Sequence, residues 1–256
     1  MKFGMSGLFL FGVMVVSVTA EPMLKYNFNN FEDGPIDGQF EWNVYNKVKD
    51  SSALSIMNEL GTSEVNGDKA LVIKTPDVPI RCVTGEPIRW LPGKTLTMEF
   101  DYKIAVEAAD LVNNKPVLTV MVGNSLLSEK SSFAVRLEAT PAGDWLLDGN
   151  FPDKGSKKIY GENYLIRSNT DVSISDWFRF TLVVKKLSEP DCFDASIEIR
   201  HPQTNKILTA MRFTDDSKDK ISKSMWNAAR VHVGFMAPAD QYGLVCIDNL
   251  KVSSSE

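Results

Sequence analysis

The sequence predicts an all-β chain, a single antiparallel β-sandwich or jelly roll that follows a cleaved signal peptide. Three observations carry this. The dominant hydrophobic period is two, that of a pleated strand with one buried face. β-branched and aromatic residues fill those segments, and turn signals separate them at short intervals. Helical spacing is weak throughout.

Taken in order, Lys2 and the uncharged run of residues 3–18 precede Val18-Thr19-Ala20, with small residues at the −3 and −1 positions. This is the pattern of a secretory signal peptide cut after Ala20. The run falls short of the ~20 residues of a spanning helix, and no later stretch is apolar enough to cross a membrane. Residues 21–256 then form one sandwich domain, a common size for this class. Segments 69–74, 95–104, 116–122, 132–139, 177–186, 195–200, 206–213, 231–235 and 244–252 read as strands. In 177–186, for example, Phe178, Phe180, Leu182 and Val184 alternate with Arg179, Thr181, Val183 and Lys185. Turn chemistry stands at Val65-Asn66-Gly67-Asp68, Leu91-Pro92-Gly93-Lys94, Pro141-Ala142-Gly143-Asp144, Asp148-Gly149-Asn150 and His201-Pro202-Gln203-Thr204-Asn205. Residues 218–229 have the spacing for one or two helical turns, and 105–114 for a short helix or an irregular loop.

Composition narrows the function. The 28 Lys+Arg and 33 Asp+Glu leave a net charge of −5 without a basic run, which argues against nucleic acid. Cys82, Cys192 and Cys246 contain no CxxC, so a zinc knuckle or a redox pair is not indicated. One disulfide with a thiol left over, or three free buried cysteines, both fit an exported chain.

Three segments carry a resemblance: YNFNNFEDGPIDGQFEWNV (26–44), DWFRFTLVVKK with ASIEIRHPQTNKIL (within 176–208), and ARVHVGFMAPADQYGLVCIDNLKVS (229–253). Together they look like the concanavalin A-like lectin/glucanase sandwich in its laminin-G-like form. The resemblance implies the fold. Its functions range over lectins, lyases, hydrolases and adhesion modules. The opening FEDG and closing IDN also resemble carbohydrate-binding jelly rolls whose ends share a structural calcium. Carried over, Glu32 or Asp33 and Asp248 would be ligands, with carbonyls completing an oxygen shell. The plainer reading makes Asp248 and Asn249 a turn cap and leaves Glu32 and Asp33 in a solvated loop.

The site candidates divide by chemistry. A glycosidase of this fold has three acids on one strand, as ExDxxE. Here Glu99 and Asp101 share a face, but Lys103 and Ile104 follow instead of the third acid. A polysaccharide lyase needs a base, a proton donor and a cation for the uronate. His232, Tyr164 (or Tyr160) and Arg136 would supply them. Sugar binding needs aromatic faces and a few polar groups: Trp90, Trp145, Tyr160, Tyr164, Arg136, Arg167 and Trp226. Trp42 and Trp177 read as core. The sequence therefore predicts a secreted, periplasmic or extracellular monomer that binds a polysaccharide on a concave sheet face without catalysis. A lyase or glycosidase on the same scaffold, and an adhesion module with an envelope or matrix partner, are the alternatives.

Overall fold

The computed structural model describes residues 24–45, 54–58, 68–74, 80–107, 116–124, 132–139, 145–150, 159–160, 165–167, 172–175, 177–216, 220–237 and 244–255. The signal segment, Tyr164 and residues 108–115 lie outside them. Among the described residues nineteen strands run in chain order: β1 (Leu24–Tyr26), β2 (Gly34–Pro35), β3 (Asn43–Tyr45), β4 (Leu54–Asn58), β5 (Lys69–Lys74), β6 (Ile80–Val83), β7 (Ile88–Arg89), β8 (Thr95–Glu107), β9 (Pro116–Gly123), β10 (Phe133–Ala139), β11 (Trp145–Asn150), β12 (Ile159–Tyr160), β13 (Leu165–Arg167), β14 (Val172–Ser175), β15 (Phe178–Lys186), β16 (Phe193–Arg200), β17 (Ile207–Asp215), β18 (Arg230–Ala237) and β19 (Leu244–Ser255). A helix, α1 (Lys220–Asn227), falls inside the predicted helical stretch.

The strands form two sheets. The larger has the order β17-β16-β15-β8-β19-β5-β4-β2, with β1 beside β19 and β14-β13 beside β8. The smaller runs β12-β11-β10-β9-β18-β6-β3, with β7 beside β18. Every pairing among the described strands is antiparallel. The predicted all-β sandwich is thus the observed one.

The period of two explains the packing. On β15, Phe178, Phe180, Leu182 and Val184 are buried while the residues between them are not. Met98, Phe100, Tyr102 and Ile104 of β8 do the same, as do Leu118, Val120 and Val122 of β9 and Val231, Val233 and Phe235 of β18. All join one apolar cluster shared by both sheets. Trp42 lies wholly within it, as expected, whereas Trp177 packs against a separate small patch of Ala70, Val72 and Cys246 on the outside of the larger sheet. The Leu91-Pro92-Gly93-Lys94 turn forms as its chemistry requires. Gly93 has φ 81, and the Lys94 amide donates to the Leu91 carbonyl at 3.0 Å. Asp148-Gly149-Asn150 differs from its turn reading and continues β11, paired residue by residue with β10.

Lys186 ends β15 on the core side and is completely buried. Its ammonium donates to the carbonyls of Trp90 (2.9 Å), Trp226 (3.1 Å) and Ala228, and sits 4.5 Å from the Trp90 ring centroid. The last two carbonyls belong to the C-terminal end of α1, so the lysine caps the helix and ties it to the sandwich. Burial lowers its pKa to about 8.

Candidate functional site

The outer face of the smaller sheet is built by the residues that alternate with the core. Arg136 on β10 pairs across the sheet with Thr119 on β9, which pairs with Met236 on β18; Met236 in turn pairs with Arg81 on β6. Two residues along, Ala134, Met121, Gly234 and Val83 form the next row. Ala134, Met121, Val83 and Met236 close into a small buried apolar patch beside Tyr45. At the far end of the face, His232 pairs with Gly123.

Arg136 and His232 therefore share this face, as the alternation requires. Four residues and two strands separate them, which at ~3.3 Å per residue and ~4.8 Å per strand is about 16 Å between Cα atoms. Both are half-buried. His232 Nδ1 lies 2.6 Å from the Thr84 carbonyl oxygen. A carbonyl only accepts, so Nδ1 carries the proton and Nε2 is left as the acceptor of the neutral ring. The Thr119 hydroxyl, opposite Arg136, is buried and has no hydrogen-bond partner among the described residues.

The other candidates are placed as follows. Trp90 is wholly inside the core, packed against Phe133 and Phe193, with Nε1 donating to the Lys94 carbonyl at 3.1 Å. It has no ring face open to a sugar. Trp226 is half-buried against the core, with Nε1 3.4 Å from the Leu187 carbonyl. The backbones of Trp145, Tyr160 and Arg167 lie in β11, β12 and β13, and their side chains fall outside the described residues. The calcium candidates lie as follows. The Asp33 carboxylate faces the Lys69 ammonium at 3.2 Å, Glu32 is exposed, and the buried Asp248 carboxylate accepts from the Asn249 amide at 2.6 Å. Asp33 already holds a cation in that ammonium, and no group of three His, Cys, Asp or Glu side chains suited to a metal occurs among these residues.

The glycosidase pair lies on the opposite sheet. Asp101 is 2% exposed and receives two hydrogen bonds from Arg179, at 2.9 and 3.1 Å, and one from Asn249 Nδ2 at 3.0 Å. The bonds from Arg179 to Asp101, chiefly, raise the Arg179 pKa. Glu99 faces Lys251 at 3.5 Å and Arg179 at 3.9 Å. Both acids are engaged by cations, a structural arrangement. The three cysteines are buried; burial pushes the Cys82 thiol up to about 12 and Cys246 to about 11, which suits these two neither as nucleophiles nor as metal ligands.

Sequence reasoning missed Thr119, Ser132, Thr84 and two glycines. Gly123 ends β9, and a Cβ there would stand 2.0 Å from Ser132 Oγ. At Gly85, beyond β6, a Cβ would stand 2.1 Å from the Glu41 carbonyl oxygen. Each glycine lets another stretch of chain lie flat on the sheet. The available signal was a glycine on the polar phase of the alternation, at the end of β9 and two residues beyond β6.

No family model matches the chain, and no curated protein matches it in sequence. Solved structures do match in fold. The carbohydrate esterase of the Shiga toxin-encoding bacteriophage phi24B aligns with TM-score 0.57 and 12% identity, over 93% of this chain and 100% of its own. The lectin UEA-II complexed with galactose gives 0.54 and 12%, over 92% and 100%. The acidic lectin of winged bean gives 0.52 and 15%, over 91% and 98%. At these identities the likeness is one of fold: this chain has the concanavalin A-like sandwich of the lectins.

Proposed function

We propose that this chain is a secreted, lectin-like carbohydrate-binding protein that grips a polysaccharide at the half-buried Arg136 and His232, on the outer side of its smaller sheet. One observation carries the reading: Arg136 and His232 share that face yet stand about 16 Å apart. A lyase must bring its base and its uronate-binding cation around one sugar. Two polar groups so far apart suit instead an extended chain gripped at more than one unit. The buried Thr119 hydroxyl beside Arg136 adds a hydrogen-bonding group that the described residues do not satisfy. The match in fold to lectins supports the same reading. A glycosidase centred on Glu99 and Asp101 is disfavoured, because Arg179 and Asn249 already occupy Asp101.

The test is native affinity electrophoresis through gels loaded with neutral or uronate polysaccharides. The reading expects retardation by at least one polymer, weakened fivefold or more in apparent affinity by Arg136→Ala, as for a contact worth over ~1 kcal/mol. Failure of every polymer to retard the protein would move the function to an adhesion module with a protein or envelope partner.

A further inference from the structure

We infer that the exposed ring of Phe40 is a stacking platform for a sugar ring, and that the carboxylates of Glu41 and Glu86 beside it select a neutral polysaccharide over a polyuronate. The inference rests on the carbohydrate reading and adds to it a contact and a ligand class.

The geometry begins with the short 3-10 turn Gln39–Glu41, which leads into β3. Phe40 is 55% exposed, and its ring centroid lies 4.5 Å from that of the buried Phe31. The ring thus leans on the aromatic cluster of Phe31, Tyr26, Phe28 and Trp42 and leaves over half of the residue in water. Its backbone is strained. Phe40 stands at φ 44, ψ 43 and Glu41 at φ 64, two successive side chains in the left-handed region. Bulky residues avoid that region, whereas glycine adopts it freely, as Gly38 does at φ 79.

Such strain persists only where the surroundings impose it. Here the Gln39 side-chain oxygen accepts from the Glu32 amide at 2.8 Å, and its nitrogen donates to the carbonyls of Glu32 and Pro35 at 3.0 and 2.8 Å. Asp37 Oδ1 accepts from the Val44 amide at 2.8 Å. The Glu41 carbonyl rests on Gly85, where a Cβ would stand 2.1 Å away. The fold therefore holds, at a cost, a ring that it leaves mostly in water. A platform fixed in advance loses little freedom when a ligand settles on it.

Place, isolation and charge choose the occupant. Asn43 pairs with Val83, and Val83 with Gly234, two residues from His232. The turn thus lies over the outer side of the smaller sheet, at the end where His232 stands. A protein partner needs a contiguous apolar patch. The other strongly exposed large apolar side chain among the described residues, Ile207, lies on β17 at the far edge of the larger sheet. A single ring bordered by the exposed Glu41, Asn43 and Glu86 matches a sugar, which has an apolar C–H face and a polar rim. Neither Glu41 nor Glu86 forms an ion pair among the described residues. Both act on the Tyr26 phenol, whose pKa is raised by burial first and then by Glu86 and Glu41. A uronate brought to Phe40 meets these two like charges, and a neutral unit does not.

The test is affinity electrophoresis through gels loaded with galactomannan or laminarin, which are neutral, and with polygalacturonate or alginate, which are not. The inference expects retardation by a neutral polymer, and weaker or no retardation by the polyuronates. Phe40→Gly should lower the apparent affinity about tenfold with no fall in Tm beyond about 3 °C, since glycine relieves the left-handed strain. Phe40→Trp should keep the affinity within about threefold. Its tryptophan emission should move to shorter wavelength when the polymer is added, beyond any shift in the parent. Glu41→Gln combined with Glu86→Gln should raise the ratio of polygalacturonate to galactomannan affinity about threefold or more. Unshifted emission in Phe40→Trp, or an affinity that Phe40→Gly leaves intact, overturns the platform. Stronger retardation by the polyuronates, or an unchanged ratio, overturns the selection. Retardation weakened by Arg136→Ala and untouched by Phe40→Gly removes the inference and keeps the binding reading. Retardation by no polymer removes both.

Discussion

Replacing Lys186 by Met should destabilise the fold by about 2 kcal/mol, the balance of the following terms. The ammonium is completely buried and donates to three carbonyls. Methionine fills much the same volume and removes all three donors. Trp90 and its carbonyl stay in the core, so that acceptor bears the full cost of an unpaired polar group, about 1–3 kcal/mol. Trp226 and Ala228 are half-buried, and water can take over part of their loss, leaving about 0.5–1.5 kcal/mol each. The cation–π contact with Trp90 adds up to about 1–2 kcal/mol. Against these stands the relief of no longer burying a charge, about 3 kcal/mol for a pKa lowered from 10.5 to about 8. In a domain of this size the shift corresponds to roughly 4–8 °C in Tm. Urea unfolding at pH 7, followed by tryptophan fluorescence, reads it directly, because Trp90 and Trp226 surround the site. The pH dependence supplies an independent arm. The folded pKa of about 8 lies below the unfolded 10.5. Between those values the unfolded chain holds a proton that the folded chain has shed, so stability should rise with pH across that window. Lys186→Met should lose this rise. A variant as stable as the parent at pH 7 would refute the reasoning, since the unpaired carbonyls and the lost ring contact would then cost no more than the burial of the charge they accompany.

Arg179→Met should cost about 3–5 kcal/mol, because it leaves the buried Asp101 carboxylate with the Asn249 amide as its hydrogen-bond donor and no cation beside it; Asp101→Asn should cost less, since Arg179 is partly exposed and can turn to water. Paired urea titrations decide this, and equal costs would count against it. Gly123→Ala should lose about 1–3 kcal/mol or more, because its methyl group meets Ser132 at 2.0 Å. Adding Ser132→Gly should recover part of the loss but not all, as the backbone at 132 still lies 3.0 Å from the new methyl group. The native chain at pH 8 should resist iodoacetamide and, once unfolded, react at three cysteines. A count of one after non-reducing denaturation would instead show a disulfide.

The two-fold period made the sandwich legible, because burial of one face is what places Phe178, Phe180 and Leu182 every second residue. It also marked which side chains face away from the core, and so brought Arg136 and His232 to one face. It did not reveal that β10 and β18 lie on either side of β9, since strand order depends on contacts far apart in sequence. The aromatic candidates show the limit from the other side. Trp90 stands beside a proline-glycine turn and reads as exposed, yet the turn folds so that its carbonyl meets Lys186 and its ring fills the core. Lys186 continues the inward phase of β15 as a charge, a break in the pattern that has meaning only once the end of α1 lies against it.

The two outer faces are polar in different ways, and the difference bears on function. On the larger sheet the charges answer one another: Asp101 with Arg179, Glu99 with Lys251, and Glu198 with Arg200. Such pairs complete their bonding inside the fold and need no ligand. On the smaller sheet the hydroxyls of Thr119 and Ser132 are withdrawn from water and bonded to nothing among the described residues, in the rows of Arg136 and His232. A fold gains nothing from burying a donor it does not use. Among the described residues those bonds are unmade, and a sugar hydroxyl is one group chemically able to make them. On the proposed reading the smaller sheet is where substitution should change glycan binding, whereas the same changes on the larger sheet should be felt in stability alone.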